Sequence, residues 1–125
     1  MGIFDALMGH GTKVDPEALA VKLEGVLIDG EQVSLAYKVI RDFFVFTQRR
    51  LILVDVQGIT GSKVDYQSVP YRAIVRFSVE TAGSFDLDSE LKIWVSGSST
   101  PIAKTMKKGT DVRGIQRALA TGVLA

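Results

Sequence analysis

The chain has 125 residues and a mass of 13.6 kDa, and 15 lysines and arginines nearly balance 14 acidic residues. This length fits one domain, and the near-zero net charge argues against nucleic-acid binding. With no cysteine and one histidine, the chain cannot form disulfides, a thiol nucleophile or a cysteine or multi-histidine zinc site within one subunit. No apolar run approaches the roughly 18 residues that span a bilayer, so the expected location is cytoplasmic.

The N-terminal part of the chain predicts an arm followed by a helix. Residues 1–14 form a short apolar opening, and we expect its apolar side chains to dock on a neighbouring surface. Asp15 and Pro16 favour a helix start, because aspartate caps free amides and proline is preorganised for the first helical position. Apolar residues then recur at helical spacing. The prediction is a helix over about residues 16–26, at the start of a domain that spans 15–125.

Seven segments follow in which apolar and polar residues alternate or apolar residues run together, and these predict seven strands. They cover residues 33–39, 43–46, 51–54, 63–69, 73–79, 91–95 and 102–106. Short connections between them favour a strongly bent antiparallel sheet, because neighbours in sequence usually pair. Such a sheet curls into a partly open barrel or splits into two packed sheets.

The end of the chain predicts a second, amphipathic helix over about residues 110–124. Thr110 and Asp111 are suitable capping residues. Its apolar stripe consists of Val112, Ile115, Leu119 and Val123. A helix of this kind can close the open end of a barrel. The predicted fold class is therefore mainly β, with seven strands, a closing C-terminal helix and an additional N-terminal helix.

Several segments resemble the bacterial pleckstrin homology (PH) domain family in residues, order and spacing. They are residues 46–52, 56–58, 61–63, 68–71, 74, 77–80, 82–83 and 86–93. The resemblance covers nearly the whole chain, and none of the segments is a catalytic signature. It implies a PH-like barrel that has no known enzymatic activity or cofactor and tends to form ring-shaped homo-oligomers. Eukaryotic relatives of the fold bind phosphoinositides or proteins, and the fold alone does not choose between them.

A weak candidate patch for an anion or lipid consists of Lys38, Arg41, Arg49 and Arg50. Lys38 and Arg41 lie in the short connection over residues 38–42, which contains only these two cations and one carboxylate. Binding several phosphates usually requires more hydrogen-bond donors. Arg49 and Arg50 are successive residues, whose side chains point to opposite faces of a strand, so only one can join a common patch. Because this patch is weak, peripheral binding of anionic phospholipid head groups is the alternative function rather than the main one.

Charge is segregated along the chain. Residues 1–31 carry six acidic residues against two lysines, a net charge of −4, whereas residues 104–117 carry a net charge of +4. One interpretation is an ordinary solvated surface. The other is an interface in which the acidic face of one subunit meets the basic face of the next, including Arg113 and Arg117. A head-to-tail contact of this kind closes rings.

Trp94 falls in the polar register of its strand, beside Lys92 and Ser96, and so is predicted at or near the surface. Tryptophan is common at interface hot spots. The alternative is a core position, if the strand is bulged or covered by the N-terminal helix. The continuous apolar runs 43–46 and 51–54 likewise need a cover on their outer side, from the N-terminal helix or from a neighbouring subunit.

Together these features predict a non-catalytic module that binds neither metal nor nucleic acid. We expect it to self-assemble, as a scaffold or a platform for protein–protein interaction. Its partners are then further copies of itself or another protein. The candidate interface residues are Trp94, Arg113 and Arg117.

Overall fold

The structure, a computed structural model, describes residues 13–81 and 88–125. The predicted arm, apart from its last two residues, lies outside these ranges. Within them the chain forms eight strands, two α-helices and one 3-10 helix. In chain order they are β1 (Lys13–Val14), α1 (Pro16–Lys22), β2 (Val33–Val39), β3 (Asp42–Thr47), β4 (Arg50–Gln57), β5 (Lys63–Pro70), the 3-10 helix (Tyr71–Ala73), β6 (Ile74–Glu80), β7 (Ser89–Val95), β8 (Ile102–Met106) and α2 (Val112–Val123).

The strands form two antiparallel sheets. Strands β1 to β5 lie in chain order in a five-stranded sheet, and β6 to β8 form a three-stranded sheet. The predicted mainly β fold, with seven strands and a helix at each end, is confirmed. The additional strand β1 consists of Lys13 and Val14, which the sequence assigns to the arm but which pair with Tyr37 and Ala36 of β2. Two residues are too few to show an alternating pattern.

Both helices start where the sequence predicts but are shorter. The carboxylate of Asp15 accepts a hydrogen bond from the backbone amide of Glu17, at the start of α1. The predicted extent to residue 26 is wrong, because α1 ends at Lys22 and Gly25 adopts a positive φ of 93° that interrupts a right-handed helix. Helix α2 begins after Asp111, whose carboxylate accepts a hydrogen bond from the Gly114 amide at 3.1 Å.

The main core lies between the two sheets and under α2. It contains the inward-facing side chains of β3, β4 and β7 and the buried face of α2, with Ile115 and Leu119 fully buried. Two glycines bring α2 close to the sheet. A Cβ atom at Gly122 would lie 2.6 Å from the ring of Tyr71, and one at Gly114 would clash with the Tyr37 hydroxyl. Glycine weakens a helix interior, so its presence here reflects the close approach of the helix to both tyrosines.

A second core lies on the outer side of the five-stranded sheet, under α1. Leu19 and Leu23, both fully buried, pack with Val14 against the outward-facing residues of β2, β3 and β4. These residues are Ala36, Phe43, Val45, Ile52, Val54 and Val56. The apolar runs of β3 and β4 are therefore buried on both faces, and the N-terminal helix supplies the outer cover.

The outer face of the three-stranded sheet is exposed by comparison. Arg76 and Ser78 of β6 are exposed, and Val75, at an irregularity in the pairing of β6 with β7, is 66% exposed. The inner face of the same sheet is buried, with Leu91 and Ile93 at 0% exposure. Among the described residues, no helix is long and apolar enough to cross a membrane.

Candidate functional site

The structure places the four cations of the predicted basic patch at two ends of the barrel. Lys38 and Arg41 lie at the hairpin between β2 and β3, whereas Arg49 and Arg50 lie at the turn between β3 and β4. The six residues of β3 separate the two turns, and a strand rises about 3.3 Å per residue, so the pairs are roughly 20 Å apart. One compact anion cannot contact all four.

The pair at the β2–β3 hairpin is held by other parts of the chain. Lys38 is 8% exposed and lies opposite Phe43, on the face of the sheet that α1 covers. The guanidinium of Arg41 donates a hydrogen bond of 2.6 Å to the carbonyl of Gly58, which ties the hairpin to the β4–β5 loop. The hairpin also holds Ile40 at a positive φ of 62°, an unfavourable conformation for a β-branched residue.

Arg50, which is partly exposed, forms an ion pair with the buried side chain of Glu31. Its Nε and Nη2 atoms each donate a hydrogen bond of 2.8 Å to the carboxylate of Glu31. It also donates to the Val26 carbonyl and to the hydroxyl of Ser68, both at 2.7 Å. Arg50 therefore fastens the connection between α1 and β2 onto β4 and β5, and we call this set of bonds the Arg50 latch.

The latch also controls the charge on Glu31. The side chain of Glu31 is fully buried, which alone raises its pKa. The hydrogen bonds from Arg50 outweigh burial, with help from the Thr47 hydroxyl at 2.8 Å and the Ile28 amide at 3.1 Å, and lower the pKa of Glu31 to about 2. The ionised carboxylate of Glu31 accepts hydrogen bonds from groups inside the protein, so Glu31 and Arg50 have a structural role.

Arg49, the residue before Arg50, has no ion-pair partner among the described residues. It is exposed and, with Arg50 and the exposed Arg72, borders a cleft of about 580 Å³ beside the C-terminal end of α2. The floor includes Tyr71, whose hydroxyl donates a hydrogen bond of 2.7 Å to the Thr47 carbonyl and whose pKa burial raises well above its usual value. We call this the arginine cleft. Arg72 was not among the predicted site residues, because only the fold brings it to Arg49.

A second concavity, also of about 580 Å³, adjoins the arginine cleft and runs between α2 and strands β2 and β3. Its apolar wall includes Leu35, Phe46 and Ala118, and Arg117 lies on its α2 side. We call it the apolar groove. It shares Gln48, Tyr71, Gly122 and Ala125 with the arginine cleft.

The three candidate interface residues lie on two surfaces. Trp94 is half-buried on the outer face of the three-stranded sheet, where the guanidinium carbon of Arg76 lies 3.9 Å from the centre of its ring. Arg76 is its partner in the register of β6 and β7. Arg113 and Arg117 lie one turn apart on the exposed side of α2. Arg76 was also missed from the sequence, although its strand was predicted, because the pairing register was not.

Three carboxylates line up across the five-stranded sheet, since Asp42 is adjacent to Asp55 through the pairing of β3 and β4, and Asp55 pairs with Asp65. Burial is the main cause that raises the pKa of Asp42, and the neighbouring Asp55 adds to it. Asp42 also accepts a hydrogen bond of 3.0 Å from the Val56 amide. Within the described part of the chain, no group of three or more potential metal ligands is arranged to hold a metal ion.

Comparison with known proteins supports the fold. Residues 2–123 match the family model described as "Bacterial PH domain". The chain is 52% identical over 121 residues to YjqA of Bacillus subtilis strain 168, an alignment that covers 96% of this chain and 97% of YjqA.

Two solved structures have the same architecture. A pleckstrin homology domain from Shewanella amazonensis is 56% identical, with a TM-score of 0.85, and the match covers 99% of this chain and 100% of that one. A protein with a pleckstrin homology domain from Shewanella loihica is 55% identical, with a TM-score of 0.79, over 93% of this chain and 99% of its own. The PH-like fold predicted from the sequence is thereby confirmed.

Proposed function

Because this chain belongs to the bacterial PH domain family, we propose that it is a non-catalytic cytoplasmic module that self-assembles into a ring-shaped homo-oligomer. The ring serves as a scaffold or a platform for protein–protein interaction. The observation that carries the proposal is the exposed outer face of the three-stranded sheet, with Trp94 on it. The equivalent face of the other sheet is covered by the chain's own helix.

Trp94 and Arg76 have the chemistry of an interface hot spot. Tryptophan and arginine are the residues most enriched at such positions, and here they form a stacked pair on an exposed sheet. Exposed Val75 adds apolar surface on the neighbouring strand. A second subunit on this face would remove the indole from water and leave the guanidinium stacked on it.

The separation of acidic and basic surfaces favours a head-to-tail arrangement of the subunits. Exposed acidic residues surround α1, and exposed basic residues lie on and before α2. The acidic set is Asp15, Glu17, Glu24 and Asp29, and the basic set is Lys107, Lys108, Arg113 and Arg117. Because the two sets are different surfaces, a contact between them is head-to-tail and can close into a ring.

The test is the mass of the full chain in solution, measured by size-exclusion chromatography with light scattering at low and at high salt. We expect a discrete multiple of 13.6 kDa that loosens as salt screens the charged faces. The double variant Arg113→Gln/Arg117→Gln should loosen at lower salt than the wild type. The control is Arg49→Gln/Arg72→Gln, which removes two exposed positive charges outside the two charged faces. A monomer at micromolar concentration under both conditions would contradict the proposal.

The alternative, peripheral binding of anionic phospholipid head groups, has less support. Its four candidate cations lie in two pairs roughly 20 Å apart, and Lys38, Arg41 and Arg50 are each held by the fold. Sedimentation with phosphatidylglycerol vesicles at low salt tests it. We expect little wild-type protein in the pellet. Strong sedimentation that is lost in Arg41→Gln would favour the lipid function over the scaffold.

A further inference from the structure

The arginine cleft contains two cations that no described residue neutralises. Arg49 and Arg72 are exposed, and neither guanidinium makes an ion pair or a hydrogen bond with another described residue. The third arginine, Arg50, is neutralised by Glu31, which is the acidic side chain that lines the cleft. The cleft thus carries an excess of positive charge, together with planar donors suited to a carboxylate or a phosphate.

The apolar groove next to the cleft has the complementary character. Leu35, Phe46 and Ala118 supply hydrocarbon surface, and Lys13 and Arg117 also line the groove. The ring of Tyr37 packs edge-on against Phe46 at 6.2 Å between centroids. Each concavity, at about 580 Å³, lies within the range of roughly 300 to 1,000 Å³ that is typical of small-molecule sites. Gly114 and Gly122 line the groove where α2 approaches Tyr37 and Tyr71 closely.

The cleft and the groove meet at the C-terminal end of α2. They share the side chains of Gln48 and Tyr71 and the backbone at Gly122, so a bound molecule can pass from one to the other. A molecule that fits both parts has a negative group at one end and an uncharged apolar chain at the other.

We propose that this joined site binds a single-chain anionic amphiphile. Its carboxylate or phosphate head group contacts Arg49 and Arg72, and its hydrocarbon chain lies along Leu35, Phe46 and Ala118. The site is separate from the outer face of the three-stranded sheet, whereas Arg117 of the proposed basic interface lies at the edge of the groove. It is also at the opposite end of β3 from Lys38 and Arg41.

The test is isothermal titration calorimetry of the full chain with decanoate and with decyl phosphate, each below its micelle concentration. Decanol and inorganic phosphate separate the contributions of the chain and the head group. We expect both amphiphiles to bind, and each of the two partial ligands to bind at least about tenfold more weakly, since each lacks half of the contacts.

Two variants locate the site. Arg49→Gln/Arg72→Gln removes the free cations, and we expect about tenfold weaker binding of both amphiphiles, because a charge-assisted contact is lost. Thr121→Trp places a large side chain at the exposed, α2 side of the groove and should weaken binding through the chain. Arg113→Gln has the same loss of charge per residue outside the site and is expected to bind as the wild type does. Circular dichroism confirms that each variant is folded.

Three results would overturn the proposal. These are no heat with either amphiphile at two well-separated temperatures, equal affinity in the wild type and the double variant, and equal affinity for inorganic phosphate and decyl phosphate. A vesicle arm separates the two possible sources of the head group. Sedimentation with phosphatidic acid vesicles but no binding of monomeric decyl phosphate would assign the arginines to a membrane surface and also contradict the proposal. Light scattering measures the assembly of the same variants separately from ligand binding. A failure to bind the amphiphiles would therefore leave the proposed self-assembly untouched.

Discussion

The outer faces of the two sheets differ in how far they are buried. The outer face of the five-stranded sheet carries Phe43, Val45 and Ile52 and lies under α1, so that these side chains are at 0% exposure. The outer face of the three-stranded sheet carries Arg76, Lys92 and the half-buried Trp94 and has no comparable cover among the described residues. The first sheet is covered within one chain, whereas the second keeps an uncovered face among the described residues, which is the surface proposed for self-assembly.

The Arg50 latch explains why the cover of the first sheet stays in place. Helix α1 has only seven residues, which is too short to be stable by itself. It is held by the burial of Leu19 and Leu23 and by the bonds of Arg50 to Glu31 and Val26, just beyond the helix. The lesson is that neighbouring arginines in one turn can serve different purposes, Arg50 inside the fold and Arg49 on its surface.

The largest expected effect comes from breaking the latch. Arg50→Ala leaves the buried carboxylate of Glu31 without its partner, and should lower the free energy of unfolding by about 4 kcal/mol. Arg49→Ala is the matched control, with an expected change of about 0.5 kcal/mol or less because that side chain is exposed. Urea denaturation measures both. Similar losses in the two variants would show that the latch does not hold the cover.

The next largest effect comes from the apolar contacts of α1 and of Leu23, which directly follows it. Leu23→Ala leaves a cavity under the helix and should cost about 3 kcal/mol in the free energy of unfolding. Val21→Ala, two residues earlier in α1 and 67% exposed, should cost no more than about 0.5 kcal/mol. If urea denaturation gives Leu23→Ala the small value too, then α1 contributes little to covering the sheet.

Acid should weaken the latch without any mutation. The pKa of Glu31 is about 2 in the folded protein and near 4.5 in the unfolded chain, so its contribution is present above pH 4.5 and is lost as the pH falls toward 2. Between pH 5 and pH 2.5 the loss attributable to Glu31 is roughly 2.5 kcal/mol. The measurement is the pH dependence of urea unfolding, with Glu31→Gln as control. A variant with an equally steep dependence in this range would refute the assignment.

The smallest expected effect on stability is at the exposed sheet. Trp94→Ser removes the stacking with Arg76, a contact worth about 1 kcal/mol or less at a partly exposed position. Urea denaturation at low protein concentration, where assembly is weakest, measures the effect on the single chain. A loss as large as that of Leu23→Ala would make Trp94 a core residue and remove the main support for an interface.

Much of this architecture could be predicted from the sequence because alternation records which face of a strand is buried. The polar register made Trp94 a candidate for the outer face, with a core position as the alternative, and the double-sided runs of β3 and β4 indicated an extra cover. The end of α1 could not be located, because Leu23 continues the apolar spacing after the helix has ended.

The sequence did not predict which residues come together in the candidate sites, because this depends on how distant strands pair. Arg49 and Arg72 are 23 positions apart and meet only through the fold. Glu31, an ordinary acidic residue in the sequence, becomes the buried partner of Arg50. Lys38, Arg41, Arg49 and Arg50 were grouped by type, and the length of β3 separates them into two pairs.

The most direct test of the central claim uses the intrinsic fluorescence of Trp94, the single tryptophan of the chain. Acrylamide quenching and the emission maximum are measured over a range of protein concentrations, alongside the mass from light scattering. If the exposed sheet is the interface, quenching falls and the emission shifts to shorter wavelength as the mass rises above 13.6 kDa. A mass that rises while quenching and emission stay constant would show that the subunits meet elsewhere, and would contradict the account.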